Sequence, residues 1–255
     1  MIDSAVRLRG VTKSFGELSV LAGIDLDVAR GETTVILGRS GSGKSVLLKV
    51  IAGLLTPEEG SVSVLGIDPF RGDPAARLEV RRRMGFLFQS GALFDSMTIA
   101  ENIAFPLVED GRDGREIARI VRERLSDVGL AASVGEKNPS ELSGGMRKRA
   151  ALARALARSP EILLHDEPTT GLDPIGCAAV AQLLDETRKR LGVTQIVVTH
   201  EIPLALRVAD RLHLLYNGRI TAQGTPAEFA EPTDPLVRQF VRGELEGPME
   251  VEATS

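Results

Sequence analysis

Residues 38–45 read Gly38-Arg39-Ser40-Gly41-Ser42-Gly43-Lys44-Ser45, a G-x-x-x-x-G-K-S/T pattern. The β-rich apolar run Thr33 to Leu37 precedes it, and Val46, Leu47, Val50, Ile51 and Leu54 follow with helical spacing. The order is strand, glycine loop, helix, which is the context the motif requires. Glycines let backbone N–H groups converge on phosphate oxygens, and the helix N-terminus adds positive potential there. Gly38, Arg39, Ser40, Gly41, Ser42, Gly43, Lys44 and Ser45 are therefore the candidate phosphate-binding residues. Lys44 is expected to reach the β and γ phosphates, and the Ser45 hydroxyl to ligate Mg²⁺.

Further along the chain, buried-type strands are readable at Ile162 to Leu164 and Gln195 to Val198, separated by a helical pattern from Pro174 to Leu191. Such alternation predicts an α/β fold with a parallel sheet covered by helices. Leu212 to Tyr216 and Arg219 to Ala222 flank Asn217-Gly218, a strong hairpin signal, so antiparallel β additions make the sheet mixed. Between Ser90 and Arg158 the periodicity is helical, over Ile99 to Val108, Ile117 to Val128 and Gly145 to Ala157. The expected organisation is a nucleotide-binding α/β core with an antiparallel β part over 1–88 and 159–230, an inserted α-helical subdomain over 89–158, and a C-terminal tail over 231–255. Residues 243–255 are acidic and contain Gly and Pro, so disorder is expected there.

Leu163-Leu164-His165-Asp166-Glu167 is an apolar strand ending in two carboxylates, able to hold a metal beside phosphates and to place a base for water. Alone, an Asp-Glu pair at a strand end is a solvated turn. Downstream of a phosphate loop, Asp166 becomes the candidate metal ligand and Glu167 the candidate catalytic base.

Leu142-Ser143-Gly144-Gly145-Met146 lies between the phosphate loop and Asp166-Glu167 and resembles the signature motif of ABC ATPases, P-loop NTPases that work as the motors of transporters. Small residues at a helix start offer backbone N–H groups and a hydroxyl to a γ-phosphate, a second anion site in the same chain. In that family two cassettes pair head to tail, each signature covering the other's ATP, so the resemblance implies a homodimer with Ser143, Gly144 and Gly145 contacting ATP. It implies further roles over residues 5–230. Phe15 matches the aromatic that stacks on adenine, a core phenylalanine being the other reading of that residue. Gln89, closing the strand Gly85 to Phe88, matches the glutamine that senses Mg²⁺ and faces the transmembrane partner. Asp173, in Gly171-Leu172-Asp173-Pro174, matches the aspartate of the dimer interface, and His200 matches the histidine that contacts the γ-phosphate and attacking water.

Met146 stands where glutamine is common in the signature. With Phe88-Gln89-Ser90-Gly91-Ala92-Leu93-Phe94, Asn102-Ile103-Ala104-Phe105-Pro106-Leu107 and Asp234-Pro235-Leu236-Val237-Arg238-Gln239-Phe240, it resembles the ATPases of Mla or Mce-type phospholipid transporters. That resemblance implies integral membrane permease subunits, an MCE lipid-binding protein and, in some members, a small STAS-domain protein, with the ATPase peripheral on the cytoplasmic face of the inner membrane. In some members the tail also reaches the other ATPase subunit. Leu236, Val237 and Phe240 share one helix face, which suits docking there or on the tail's own subunit. A cassette for another cargo, such as an amino acid or lipoprotein, and a permease-free regulatory ATPase are the alternatives, since the motor chemistry is common to all.

Bulk properties narrow the remaining classes. The 255 residues carry 31 basic and 35 acidic side chains, a net charge of -4, so no overall positive field draws the chain to nucleic acid. Arg81-Arg82-Arg83 and Arg147-Lys148-Arg149 are short helical clusters, expected to be solvated faces. The single Cys177, expected to be buried and inert, excludes an internal disulfide framework and suits a reducing, cytosolic setting. Met1 to Arg9 carries Asp3, Arg7 and Arg9 and lacks a signal peptide's apolar core, so a mature start is expected. No run approaches the roughly 18 apolar residues of a membrane span. His165 is expected to be a packed or hydrogen-bonded strand residue, and His213 a strand-surface residue.

Overall fold

The computed structural model describes residues 3–71, 73–89 and 91–250; Ser90 of the Gln89 segment and residues 251–255 of the tail lie outside the described residues. Two long strands, β1 (Ser4–Phe15) and β2 (Leu18–Ala29), precede β3 (Thr33–Leu37) and helix α1 (Lys44–Ile51). There follow β4 (Glu59–Val64), α2 (Pro74–Arg82), β5 (Met84–Leu87), α3 (Ile99–Glu109), α4 (Gly114–Asp127) and α5 (Gly144–Leu156). The remainder is β6 (Ile162–Asp166), α6 (Pro174–Leu191), β7 (Thr194–Thr199), α7 (Ile202–Val208), β8 (Arg211–Tyr216), β9 (Arg219–Gly224), α8 (Pro226–Ala230) and α9 (Pro235–Arg242).

Strands β3, β6 and β7 are buried along their whole length, which is why they carry unbroken apolar runs rather than alternation. They form the middle of a six-stranded sheet of order β5-β6-β7-β3-β8-β9, parallel except for β9. The β8-β9 turn places Asn217 at φ 47 and Gly218 at φ 70, the two positive angles of a type I′ hairpin. A separate antiparallel sheet, β2-β1-β4, faces the first. Between the sheets lie Leu47, Leu48 and Ile51 of α1, packed with Leu8 and Ile24 on one side and Ile36, Leu164 and Ile196 on the other. The opposite face of the six-stranded sheet, with Val35, Leu163, Val197 and Leu214, is covered by helices. Helices α3, α4 and α5 contribute Ile103, Leu107, Ile120, Leu125 and Leu152 to that second core.

Side-chain caps set several helix starts. Thr98 and Glu101 form a reciprocal capping box on α3, and Asp113 caps α4. Asn102, fully buried, donates to the carbonyls of Phe94, Met97 and Thr98 and accepts from the Phe94 N–H, fixing the segment that leads into α3.

Four expectations differ from the structure. Residues 243–250 are not free: Met249 is buried, and the buried Gln239 carboxamide on α9 accepts from its N–H at 2.6 Å and donates to its carbonyl at 3.1 Å. Two good hydrogen bonds and one apolar anchor outweigh the polar composition of that stretch. His213 is buried, because β8 sits between β3 and β9 with both faces covered. Lys148 is buried rather than solvated, since the Gln89 segment lies over its helix face. Cys177 is half-buried and lines a cleft with Leu172 and Glu201; burial pushes its thiol up, with Glu201 and Asp173 acting in the same sense. The apolar face of α9 packs on its own subunit, with Val237 buried and Leu236 and Phe240 partly so.

Candidate nucleotide site

The loop from Gly38 to Gly43 bends where side chains would not fit. A Cβ at Gly38 would lie 2.6 Å from the Leu215 carbonyl oxygen, and Gly43 has φ 98 with Val20 only 3.0 Å from where a Cβ would sit. Glycine at these two positions is thus required by a close approach and by a left-handed backbone. Gly43 is also the N-cap of α1, so the first N–H groups of that helix open toward the loop. Among the described residues no side chain caps them.

Lys44 folds back over this loop. Its ammonium donates to the carbonyls of Gly38 at 2.8 Å and Arg39 at 2.9 Å, and stands 3.2 Å from Glu167 Oε1. Both partners are nearly enclosed, with side chains 6% and 11% exposed. Glu167 in turn places Oε2 3.0 Å from His200 Nδ1, so lysine, glutamate and histidine form one chain of contacts. Glu167 sits at φ 49, a left-handed conformation that turns its carboxylate out of the line of β6, and its own N–H bonds the Val198 carbonyl.

Next to this chain, the Ser45 hydroxyl donates to Asp166 Oδ1 at 2.9 Å. Burial raises the Asp166 carboxyl above the usual range; Glu167 acts in the same sense, while the Ser45 bond, Lys49 and Lys44 oppose it. Two hard oxygen donors thus converge beside the loop, and the buried carboxylate gains from a nearby cation.

A cleft of about 370 Å³ collects Phe15, Lys44, Ser45, Gln89, Glu167 and His200. Phe15 is 49% exposed on its rim, with Lys13 Nζ 5.4 Å from the ring centroid, so it is not a core residue. Gln89 stands two residues beyond the end of β5 rather than at its last position. Ser40, Gly41 and Gly43 line the same cleft, while Arg39 and Ser42 line a second cleft of about 450 Å³ beyond the loop, with Tyr216 and Asn217. There Arg39 donates to the Glu250 carbonyl at 2.6 Å, and the Glu250 N–H donates to the Tyr216 hydroxyl.

Ser143, Gly144 and Gly145 are not brought to the Lys44 cleft. Ser143 caps α5 by accepting from the Met146 N–H, and it and Gly144 face solvent. Asp173 likewise caps α6, accepting from the Gly176 N–H at 2.6 Å, outside the cleft. A Cβ on Gly144 would lie 3.5 Å from Leu172, so these two helix starts are neighbours of each other. Sequence reading missed Thr170, which lines the cleft, and Lys148, which donates to the Gln89 carbonyl; no local pattern marks either one.

A profile of the family described as ABC transporter matches residues 21–170. The probable ribonucleotide transport ATP-binding protein mkl of Mycobacterium leprae (strain TN) is 42% identical over 246 residues, 96% of this chain and 71% of that protein. The intermembrane phospholipid transport system ATP-binding protein MlaF of Haemophilus influenzae is 39% identical over 250 residues, 98% of this chain and 94% of that protein. Among solved structures, the dimeric post-hydrolysis state of the ATP-binding cassette MJ0796 bound to ADP and Pi superposes with a TM-score of 0.79 at 34% identity, covering 87% of this chain and 98% of that one. The family match over residues 21–170 takes in the glycine loop that follows β3, the relatives align over nearly the whole of this chain, and the chain belongs to the ABC transporter family.

Proposed function

We propose that this cassette powers phospholipid transport between membranes, working as a homodimer beneath integral membrane permease subunits together with an MCE lipid-binding protein. The observation that carries the catalytic half is the Lys44-Glu167-His200 chain on the rim of the phosphate loop. The near full-length similarity to MlaF supports the cargo.

In this reading Phe15 stacks on adenine and the loop N–H groups with Lys44 bind the phosphates. Lys44 exchanges its contact with Glu167 for phosphate oxygens, which frees the Glu167 carboxylate to take a proton from the attacking water. His200 holds that water and the γ-phosphate in register. Ser45, Asp166 and Gln89 would hold Mg²⁺, which supplies neutralisation of phosphate charge when bound. The exposed Ser143 and Gly144, outside the Lys44 cleft, suit covering the ATP of a second copy, with Asp173 at the shared surface. Among the described residues no helix is long and apolar enough to cross a membrane, so the permease would hold the chain at the cytoplasmic face of the inner membrane.

The test is purification of the native complex with identification of its partner chains and bound lipid. Permease and MCE chains with phospholipid are expected. Recovery without an integral membrane protein would overturn the transporter reading, and a complex carrying a ribonucleotide or other polar solute in place of lipid would overturn the cargo.

A further inference from the structure

Beyond β5 the chain leaves the sheet, and among the described residues no backbone N–H pairs with the carbonyls of Gln89, Gly91 or Ala92. All three are satisfied from a single helix. Lys148 of α5 donates to the Gln89 carbonyl, and Arg154 donates to Gly91 at 3.0 Å and to Ala92 at 2.6 Å. The contact surface is one helix face: Gly91, at φ 78, would carry a Cβ 3.3 Å from the Ala151 Cβ and 4.0 Å from the Arg147 carbonyl oxygen, and Arg154 lies 5.7 Å from the centre of the Phe94 ring. Lys148 is 9% exposed, an unusual place for an ammonium in the middle of a helix. A lysine that loses its solvent in this way requires a fixed acceptor, and the Gln89 carbonyl is that acceptor.

Helix α5 begins at the Ser143 cap of the signature and ends against the sheet, where a Cβ on Gly85 of β5 would meet the Ala155 carbonyl oxygen at 2.4 Å. It is thus a rod with the signature at one end and the Gln89 segment held along its side. We infer that Lys148 is a positioning residue that ties Gln89 to the signature helix, so that movement of the signature re-aims Gln89 at the Lys44 cleft. Arg154 fixes the following turn of the same segment. The inference rests on the reading of Gln89 as a nucleotide-site residue, but the clamp itself can be measured without it.

The experiment compares full-length wild type with Lys148→Met, Lys148→Arg and Gln89→Ala, by amide hydrogen exchange and by steady-state ATPase kinetics. Lys148→Met is expected to raise exchange of the Gly91 to Phe94 amides about tenfold, with β5 and α5 protection unchanged, and to lower kcat about tenfold with KM for ATP within about twofold. Lys148→Arg should restore both. Unchanged exchange in Lys148→Met would overturn the clamp. Increased exchange with wild-type kcat, while Gln89→Ala is impaired, would overturn the positioning role. Wild-type kcat in Gln89→Ala would instead overturn the reading of Gln89, and the positioning role with it, leaving the exchange result to decide the clamp alone.

Discussion

Replacing Glu167 by Gln removes the anion that faces Lys44 while keeping shape and one acceptor oxygen. At 3.2 Å, with an effective dielectric of about 20, the attraction between the pair is about 5 kcal/mol. Desolvation of two nearly enclosed ions offsets a large part of this, leaving a net loss of about 2 kcal/mol when the carboxylate is neutralised. For a chain of this size that lowers the melting temperature of the nucleotide-free protein by about 4–8 °C. The same loss becomes a gain for ATP, because the phosphates then meet a lysine with no resident anion to displace; affinity should rise about 30-fold. Turnover should fall by roughly 10²–10⁴ through loss of the base. Thermal melting with and without ATP, calorimetric titration in chelator to prevent hydrolysis, and a phosphate-release assay measure the three effects. Unchanged melting and unchanged affinity would refute the electrostatic argument, and near-wild-type turnover would remove Glu167 as the base.

Acid should destabilise the fold through its buried imidazoles. Burial pushes His165 down to about 4 from 6.5, with Gln195 acting the other way, and burial followed by Arg211 pushes His213 down to about 4. The folded-state value lies below the unfolded one, so between pH 6.5 and 4 the unfolded chain binds protons that the folded chain refuses. Stability present above pH 6.5 is therefore lost as pH falls through that window, at about 3 kcal/mol for each imidazole. Gln195 acts on the His165 ring without completing a hydrogen bond to either nitrogen among the described residues, so His165→Leu should stay within about 1 kcal/mol of wild type at pH 7 and lose its share of the acid sensitivity in melting curves. A variant with the wild-type slope against pH would contradict this. At the tail, Gln239→Ala should raise exchange of the Met249 and Glu250 amides more than about 30-fold while shifting the melting temperature by less than about 3 °C, because the strap can open without the rest of the fold. Retained protection of those amides would show that Met249 burial alone holds the strap.

Much of the molecule was legible from local pattern. The loop from Gly38 to Ser45, the span Pro174–Leu191 of α6 and the Asn217-Gly218 hairpin follow from rules that act within a few residues: phosphate-loop glycines, helical periodicity with an Asp cap and Pro start, and positive φ at a tight turn. The strands β1, β2 and β4 were not individually legible, because a sheet covered on one face gives short, irregular alternation broken by the register shifts seen between β1 and β2. What the tertiary structure alone decided are the long-range matters. It brought Lys44 to Glu167 across more than a hundred residues, left Ser143 and Gly144 open to solvent outside that cleft, buried Lys148 and His213, and folded residues 244–250 onto Gln239 and Arg39. Burial of a lysine or ordering of a polar tail depends on which surface lies opposite, and composition carries no record of that surface. The sequence alone thus determined which phosphate chemistry the chain carries, whereas only packing decided which charges face one another around the phosphate loop.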